Sequence, residues 1–229
     1  SLGAKLKKPA DEITDEYPGS AIAAPSQPGR PELLRFDRGD SAPPMPGVHE
    51  LEDESQRALL LHFFANHELL ATELMALVLL RFPDAPPKFR HVVYETLREE
   101  QRHTRWDLKR MEECGLRFGD HAVNSFFWRS VAPMDTPLDY VTRLSLTFEQ
   151  ANLDYSRYYA NVFRRSGDAK SASILEAICR DEVSHVNYGL TWFRQWKAPA
   201  DSDWDAFNRQ LIFPLSPSRA KANGDAKFN

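Results

Sequence analysis

Two Glu-x-x-His motifs contain the residues of this chain whose types and spacing could bind a metal. The stretch "LREEQRHTRW" pairs Glu100 with His103, and "CRDEVSHVNY" pairs Glu182 with His185. Residues three apart lie on the same face of an α-helix, so each motif can present a carboxylate and an imidazole together. Either motif alone is ordinary on a solvated helix face. The interpretation therefore depends on whether the two copies meet in space.

Four long helices are predicted to carry and position these motifs. Each segment has apolar residues at helical spacing and ends at proline or glycine signals. "DTPLDY" offers Asp135 or Thr136 as an N-cap, with Pro137 at a position where its missing N–H does no harm. The helices are expected from about Glu52 to the prolines of "FPDAPP", from Lys88 to Cys114, from "DTPLDY" to "RRSGD", and from Ala169 to Trp196.

The spacing predicts an all-α fold, a four-helix bundle with one long connection between its second and third helices. Residues 1–50 form a proline-rich arm, extended or disordered, because this composition cannot pack a core of its own. The bundle is expected over residues 51–198, with a short helix near 123–130 in the long connection. Residues 199–229 are expected to form a short helix and a polar tail.

The loops of the two helical hairpins predict which further carboxylates lie beside the motifs. Glu68 precedes Glu100 by 32 residues, and Glu149 precedes Glu182 by 33 residues. Residues equidistant from the loop of an antiparallel hairpin lie level with one another. The midpoints fall inside "FPDAPP" and beside Gly167, which are the loops already assigned. The two halves of the chain therefore repeat one design, a Glu, a hairpin and a Glu-x-x-His.

Packing the two halves together would bring four carboxylates and two imidazoles to one depth in the core. Each buried carboxylate costs several kcal/mol unless a positive charge lies beside it. Oxygen and imidazole ligands without thiolates suit a pair of Fe or Mn ions, whereas a closed zinc site would use four ligands. The predicted metal ligands, which are also the predicted catalytic residues, are Glu68, Glu100, His103, Glu149, Glu182 and His185.

This combination resembles the ferritin-like di-iron carboxylate superfamily, whose sites take one Glu from each of two helices and Glu-x-x-His from the other two. "HELLATEL" is similar to the Glu-Leu-x-Ala element of its first helix, and "EEQRH" and "DEVSH" are similar to its paired motifs. More narrowly, "FGDH", "ILEAICRDEVSHVNYG" and "WFRQW" resemble a bacterial ferritin-like family known only as a domain of unknown function. The resemblance covers roughly residues 50–220.

The resemblance implies an enzyme, a non-haem di-iron or di-manganese oxidoreductase that uses O2 to hydroxylate or oxidise an organic small molecule. Its cofactor would be two Fe ions, with Mn as the alternative, and an external electron donor would supply electrons. Glu100 and Glu182 are the expected bridging ligands. The superfamily also contains ferroxidases, peroxidases and manganese catalases, so a ferroxidase or peroxide-scavenging protein is the first alternative. A non-catalytic helical scaffold is the second.

Two ligand assignments have rivals, and two further acids have two interpretations. Glu73 lies five residues after Glu68, and Asp154 lies five after Glu149, so each pair points about 140° apart and only one member can be a ligand. The hairpin spacing favours the earlier residue in both.

"REEQ" and "RDEV" also place an acid immediately before each motif Glu, at Glu99 and Asp181. These acids are either solvated or hydrogen-bond acceptors that fix an imidazole.

The composition indicates the compartment and partners. A net charge of −4 gives no electrostatic footprint for nucleic acid. Two cysteines do not make a disulfide framework and fit a reducing compartment. The longest apolar run, in "ELMALVLLRF", is short and flanked by charge, and the N-terminus lacks an apolar signal-peptide core. We therefore expect a cytoplasmic protein without a membrane span, and a homodimer is compatible with this interpretation.

Overall fold

The computed structural model of the chain is all-helical over the residues it describes, 1–7, 15–37, 39, 41–212 and 215, and contains no strand among them. The predicted polar tail lies almost entirely outside these residues. Two 3-10 turns, Glu32–Leu34 and Val48–Glu50, interrupt the arm. The helices are α1 (Leu2–Lys5), α2 (Glu54–Arg81), α3 (Pro87–Glu113), α4 (Phe126–Val131), α5 (Pro137–Tyr140), α6 (Gln150–Arg165), α7 (Ala169–Trp196) and α8 (Asp203–Gln210).

The helix ends follow from local chemistry that the sequence displays. The Asp53 side chain caps α2 by accepting a hydrogen bond from the Ser55 N–H at 2.8 Å. Thr136 caps α5 in a capping box with Asp139, and Pro137 takes the first helical position. After α3, Gly115 adopts a φ of +83°, which a residue without a Cβ reaches at little cost. These signals fix where the long helices start and stop.

A nine-residue π-helical segment, Val141–Glu149, joins α5 to α6 without a break and ends on a predicted ligand. The periodicity of the sequence indicates one ordinary helix here. Within the segment, the Thr147 hydroxyl donates to the Thr142 carbonyl five residues earlier, at 2.8 Å. Such wide turns are rare and are frequent at functional sites. A π-helical turn also contains more residues than an α-helical turn. The π segment therefore directs the Glu149 side chain to a different face of the helix from the one that an uninterrupted α-helix would give.

The long helices pack as two hairpins that meet along α3 and α7. Helix α2 packs along α3, and α6 together with the π segment packs along α7. Helix α3 contacts α7, and the short α4 contacts both α2 and the π segment. At one end, Arg110 of α3 donates to Asp168 at 2.9 Å, and Asp168 caps α7 through the Ser171 N–H. The two hairpins are thus tied together at the start of α7.

The buried apolar residues form two separate clusters, one toward each end of the long helices. One cluster contains residues such as Leu74, Phe89 and Trp192. The other contains residues such as Leu61 and Phe163. On each long helix the stretch between the two clusters carries the predicted ligands. The core is therefore a polar layer between two apolar ones.

The described part of the arm lies on the helices and makes buried ion pairs with them. The side chain of Arg30 is only 1% exposed and donates to Glu73 at 2.7 Å. Lys5 donates to the same carboxylate at 2.6 Å. Arg90 of α3 pairs with Asp15 at 2.7 Å. Residues 8–14, 38 and 40 of the arm lie outside the described part of the chain.

Helix α2 is long and apolar enough to cross a membrane by length and composition, which the apolar run in the sequence did not suggest. Two thirds of its most apolar window is buried inside the protein. It also buries Glu68 and Glu73 within the fold. Because its apolar face is already covered, α2 has the character of a core helix, which argues against a membrane span.

Candidate metal centre

The six predicted ligands lie together in the polar layer of the core. They form two groups in which one ligand atom from each residue lies within 4.8 Å of the others, and either group could hold a metal ion. Glu100 and Glu182 belong to both groups. The first group is Glu68, Glu100, His103 and Glu182, and the second is Glu100, Glu149, Glu182 and His185.

The four helical stretches contribute one or two ligands each, and every ligand is buried. Glu68 comes from α2, and Glu149 from the end of the π segment. The Glu-x-x-His motifs come from α3 and α7, where Glu100 and Glu182 are each 1% exposed. The centre is therefore screened from bulk water on all sides by protein.

Each imidazole is fixed by an acid from the opposite motif. His103 Nε2 lies 2.9 Å from Asp181 Oδ2, and His185 Nε2 lies 2.7 Å from Glu99 Oε2. A carboxylate that accepts the Nε2–H of a histidine fixes the tautomer that leaves Nδ1 free to bind a metal. Of the two interpretations left open for Glu99 and Asp181, the structure shows the imidazole acceptors.

A single arginine links the two outer acids at the protein surface. Arg102 donates to Asp181 at 2.8 Å and lies 3.7 Å from Glu99. Both acids are about a third exposed, so this outer layer faces solvent, unlike the ligands beneath it. The positive charge balances two carboxylates that would otherwise repel each other across α3 and α7.

The inner nitrogens of both imidazoles point at the glutamates. His103 Nδ1 lies 3.4 Å from Glu68 Oε2 and 3.8 Å from Glu100 Oε1. His185 Nδ1 lies 3.3 Å from the same Glu100 oxygen and 3.2 Å from Glu182 Oε2. Glu100 Oε1 thus faces both imidazoles.

Several ligand atoms in the centre are buried without any hydrogen-bond partner. They include Glu68 Oε2, Glu100 Oε1, His103 Nδ1 and both carboxylate oxygens of Glu149. Leaving buried polar atoms unpaired is costly, more so when they carry charge. These atoms all converge on the same centre, and oxygen and imidazole donors match Fe or Mn. The residues therefore fit a pair of such ions.

The pKa values of the buried groups in the centre indicate that a metal would displace protons from them. Burial raises the pKa of Glu100 well above its usual range, and neighbouring carboxylates raise it further. Burial also raises the pKa of Glu149 to about 7. Burial would lower the pKa of His103, but its bond to Asp181 and the nearby glutamates raise it well above normal. Without metal the cluster retains protons, which two cations would release on binding.

Of each pair of rival acids, the earlier residue lies in a group of converging ligand atoms and the later one does not. Glu73 is held by Arg30 and Lys5 on a different face of α2 from Glu68. Asp154 is exposed, whereas Glu149 is 4% exposed and lies in the second ligand group. The angular separation along the helix is the physical reason, since a helix that turns one acid inward turns the other away.

Sequence reasoning missed the polar residues that support the ligands. The Asn152 amide donates to Glu182 Oε1 at 2.9 Å, and the Ser156 hydroxyl donates to Asn152 Oδ1 at 3.1 Å. Asn152 lies three residues after Glu149, so it shares the inward face of the helix. That spacing is the signal that would have identified it.

The remaining histidines and the tyrosine near the second motif lie outside the cluster. His91 and His121 are exposed. His62 is buried at 3% exposure and packs 5.1 Å from the Phe118 ring. The Tyr188 hydroxyl donates to the Phe89 carbonyl at 2.7 Å, which is a packing role.

Comparison with known proteins adds a family but no activity. No curated protein and no solved structure matches the chain. One family model, described as "Protein of unknown function (DUF455)", matches residues 4–224. The match includes all four long helices and all six candidate ligands. By this near-complete match, the chain belongs to the DUF455 family.

Proposed function

We propose that the four long helices form a ferritin-like four-helix bundle, and that the protein is an oxidoreductase using two iron ions and O2 to oxidise an organic substrate. The observation that carries the proposal is the pair of overlapping ligand groups sharing Glu100 and Glu182. Two ions held by common carboxylates lie close enough to act on one molecule together. Manganese is the alternative metal, because the same donor set accepts both.

The iron pair would supply electrons to O2, and the protein ligands set the charge and geometry around it. Glu100 and Glu182, common to both groups, are the proposed bridging ligands. Glu68 and His103 would complete the ligand set of one ion, and Glu149 and His185 would complete that of the other. Carboxylates can bind through one or both oxygens, so these ligands can accommodate a change in metal charge.

Residues around the ligands orient them and exclude water. Glu99 and Asp181 hold the imidazoles with Nδ1 directed inward, and Asn152 holds one oxygen of Glu182. The apolar clusters on either side of the polar layer keep the centre dry. A dry, ordered site protects a reactive centre from side reactions with water.

The direct test is metal binding followed by O2 exposure. Purified protein is stripped with a chelator, loaded anaerobically with Fe(II) and analysed for iron per chain, with two expected. O2 consumption is then followed with a chemical reductant as the electron donor. Glu182→Gln should reduce iron content and O2 consumption. Glu176→Gln, an exposed acid on the same helix, should leave both unchanged.

The same experiment separates the alternatives. O2 consumption that continues in proportion to excess Fe(II) would identify a ferroxidase, with iron as the substrate. Rapid disproportionation of added peroxide would identify catalase chemistry. Absence of bound transition metal after anaerobic loading would contradict the proposal and favour a helical scaffold, although a scaffold would gain stability by replacing its buried carboxylates with apolar residues.

A further inference from the structure

An organic substrate must reach a metal centre that protein screens on every side. The seam between α3 and α7 is closed by the two crossed histidine–acid contacts and by Arg102. Apolar clusters fill the core toward both ends of the long helices. Between α2 and the π segment, by contrast, the short helix α4 contacts both neighbours and covers the gap. The path to the ions is therefore closed by the smallest element on the side under α4.

Three aromatic rings meet under α4 and form an aromatic stack of His67, Phe127 and Phe148. The ring centre of Phe127 lies 4.5 Å from that of His67 and 4.1 Å from that of Phe148. His67 directly precedes Glu68 in the chain, and Phe148 directly precedes Glu149, so each lies next to a ligand of a different group. The Phe127 ring thus joins the two helices at the level of the ligands.

The aromatic contacts continue from this stack to the protein surface. Phe126 is 41% exposed, and its ring centre lies 6.1 Å from that of Phe148. Helix α4 has only six residues, and Ser125 at its N-cap makes no side-chain hydrogen bond. A helix this short is marginal by itself and is held by packing. Rotation of the Phe127 ring, or a shift of α4, would open a route from solvent to the ligand groups.

The ring faces that Phe127 covers have a definite chemistry. The faces of His67 and Phe148 favour stacking with another flat ring. Neither ring nitrogen of His67 has a hydrogen-bond partner among the residues that the structure describes. A neutral imidazole offers one donor and one acceptor, so it can bind a hydroxyl or carbonyl group. The stack contains no carboxylate, lysine or arginine to pair with an ionic ligand, and burying an unpaired charge is costly.

We propose that the organic substrate binds in the place of the Phe127 ring, against His67 and Phe148, and that it is a flat, uncharged ring with a hydroxyl or carbonyl group. The inference rests on the proposed function and adds to it the substrate class and the side of entry. Bound in this way, the substrate ring lies beside Glu68 and Glu149. His67 orients it through a hydrogen bond, and Phe127 excludes water from the centre until the substrate displaces it.

The test uses phenol as the probe and protein loaded with Mn(II), whose unpaired electrons speed the nuclear relaxation of nearby protons. The relaxation of the phenol ring protons is measured by NMR during titration, with Zn(II)-loaded protein as the diamagnetic reference. Wild type should enhance this relaxation, because the probe binds beside the ions. Cyclohexanol, which has the hydroxyl group but no flat ring, should show little enhancement. Toluene, which has the ring but no hydroxyl group, should bind more weakly than phenol.

Two variants test the roles of the stacked residues. Phe127→Ala should bind phenol about tenfold more tightly, since binding no longer requires the wild-type ring to leave. His67→Leu should remove the preference for phenol over toluene. Phe163→Ala should match wild type, because it truncates a similarly buried phenylalanine that lies 14 residues, or about 21 Å, further along the helix from Glu149. If Phe127→Ala does not fold, Phe127→Leu should change phenol binding in the same direction.

Three results would overturn the inference and leave the metal pair intact. Phenol relaxation at the Zn(II) level in wild type would mean that no ring binds beside the ions, even if Phe127→Ala creates a cavity that binds one. Equal phenol affinity in wild type and Phe127→Ala would place the probe elsewhere. Cyclohexanol or toluene bound as strongly as phenol would contradict the substrate class. Failure of wild type to bind Mn(II) would instead overturn the proposed metal centre itself.

Discussion

Asp181 lies 2.9 Å from His103, although Asp181 directly precedes one Glu-x-x-His motif and His103 belongs to the other. The reciprocal contact joins Glu99 to His185 at 2.7 Å. Each motif therefore supplies the acid that orients the imidazole of the other. The hydrogen bonds cross between α3 and α7, so neither motif reaches its observed geometry without the opposite hairpin.

Asp181→Asn should weaken metal binding without unfolding the protein. The amide can present its N–H₂ to His103 Nε2, which disfavours the tautomer that leaves Nδ1 free. Loss of such a partner typically costs 10- to 100-fold in metal affinity. Competition titration with a chromophoric chelator measures the change. Asp154→Asn, at an exposed position of α6, is the matched control, and equal affinities in the two variants would contradict the crossed arrangement.

Glu68→Gln and Glu100→Gln should differ in how many ions they lose. Glu68 belongs to one ligand group only, so its loss should leave about one ion per chain. Glu100 belongs to both groups, so its loss should weaken binding of both ions. Elemental analysis after anaerobic loading and desalting measures the ratio. Equal metal content in the two variants would count against shared ligation by Glu100.

Metal-free protein should lose stability as the pH rises from about 5.5 to 8. The pKa of Glu149, raised to about 7, and that of Glu100, raised well above normal, mean that the folded state binds more protons than the unfolded state in this window. The free energy of unfolding then falls with rising pH. His103 acts in the same direction because its pKa is raised, so its contribution is lost as the pH rises through the raised value.

Melting temperatures at several pH values, with chelator and with metal, measure this dependence. Metal should stabilise the protein increasingly as the pH rises, because its ligands must be deprotonated. Glu149→Gln should flatten the slope of the metal-free protein. A melting temperature of metal-free wild type that increases across this range would be inconsistent with the electrostatics of the cluster.

Arg30→Met should destabilise the fold by about 1–3 kcal/mol, because it leaves buried oxygens of Glu73 and Asn66 without the hydrogen bonds that the guanidinium donates. The loss stays below the full cost of breaking a buried ion pair, because Lys5 still donates to Glu73 at 2.6 Å. Urea denaturation measures the change. Arg35→Met, at an exposed position of the same arm, should have little effect. Similar stabilities for both variants would mean that the arm contributes no buried pair.

Gly189→Ala should destabilise the contact between α7 and the π segment. A Cβ at this position would lie 2.3 Å from the Ser145 Cβ, which is far inside van der Waals contact. Overpacking of this kind costs about 1–3 kcal/mol. Adding Ser145→Gly should recover part of the loss, since it removes the clashing atom. A double-mutant cycle in urea with no coupling between the two changes would refute the close approach.

Much of the helical framework could be predicted because its signals are local. The N-cap at Thr136, the proline after it and the positive-φ Gly115 mark helix ends through the chemistry of one or two residues. The convergence of Glu68 with Glu100 could be predicted as well, because a short hairpin loop fixes which residues lie level. The π segment could not, since its hydrophobic pattern is that of an ordinary helix.

The sequence by itself determined the residue types, their helical spacing and the hairpin register, because these depend on neighbours within a few turns. Only the tertiary structure decided that Asp181 is the hydrogen-bond partner of His103 and that Arg30 donates to Glu73. It also showed that the Phe127 ring covers His67 and Phe148. These facts depend on how separate helices and the arm rotate against one another. That rotation is set by packing between residues distant in the chain, which no local pattern encodes.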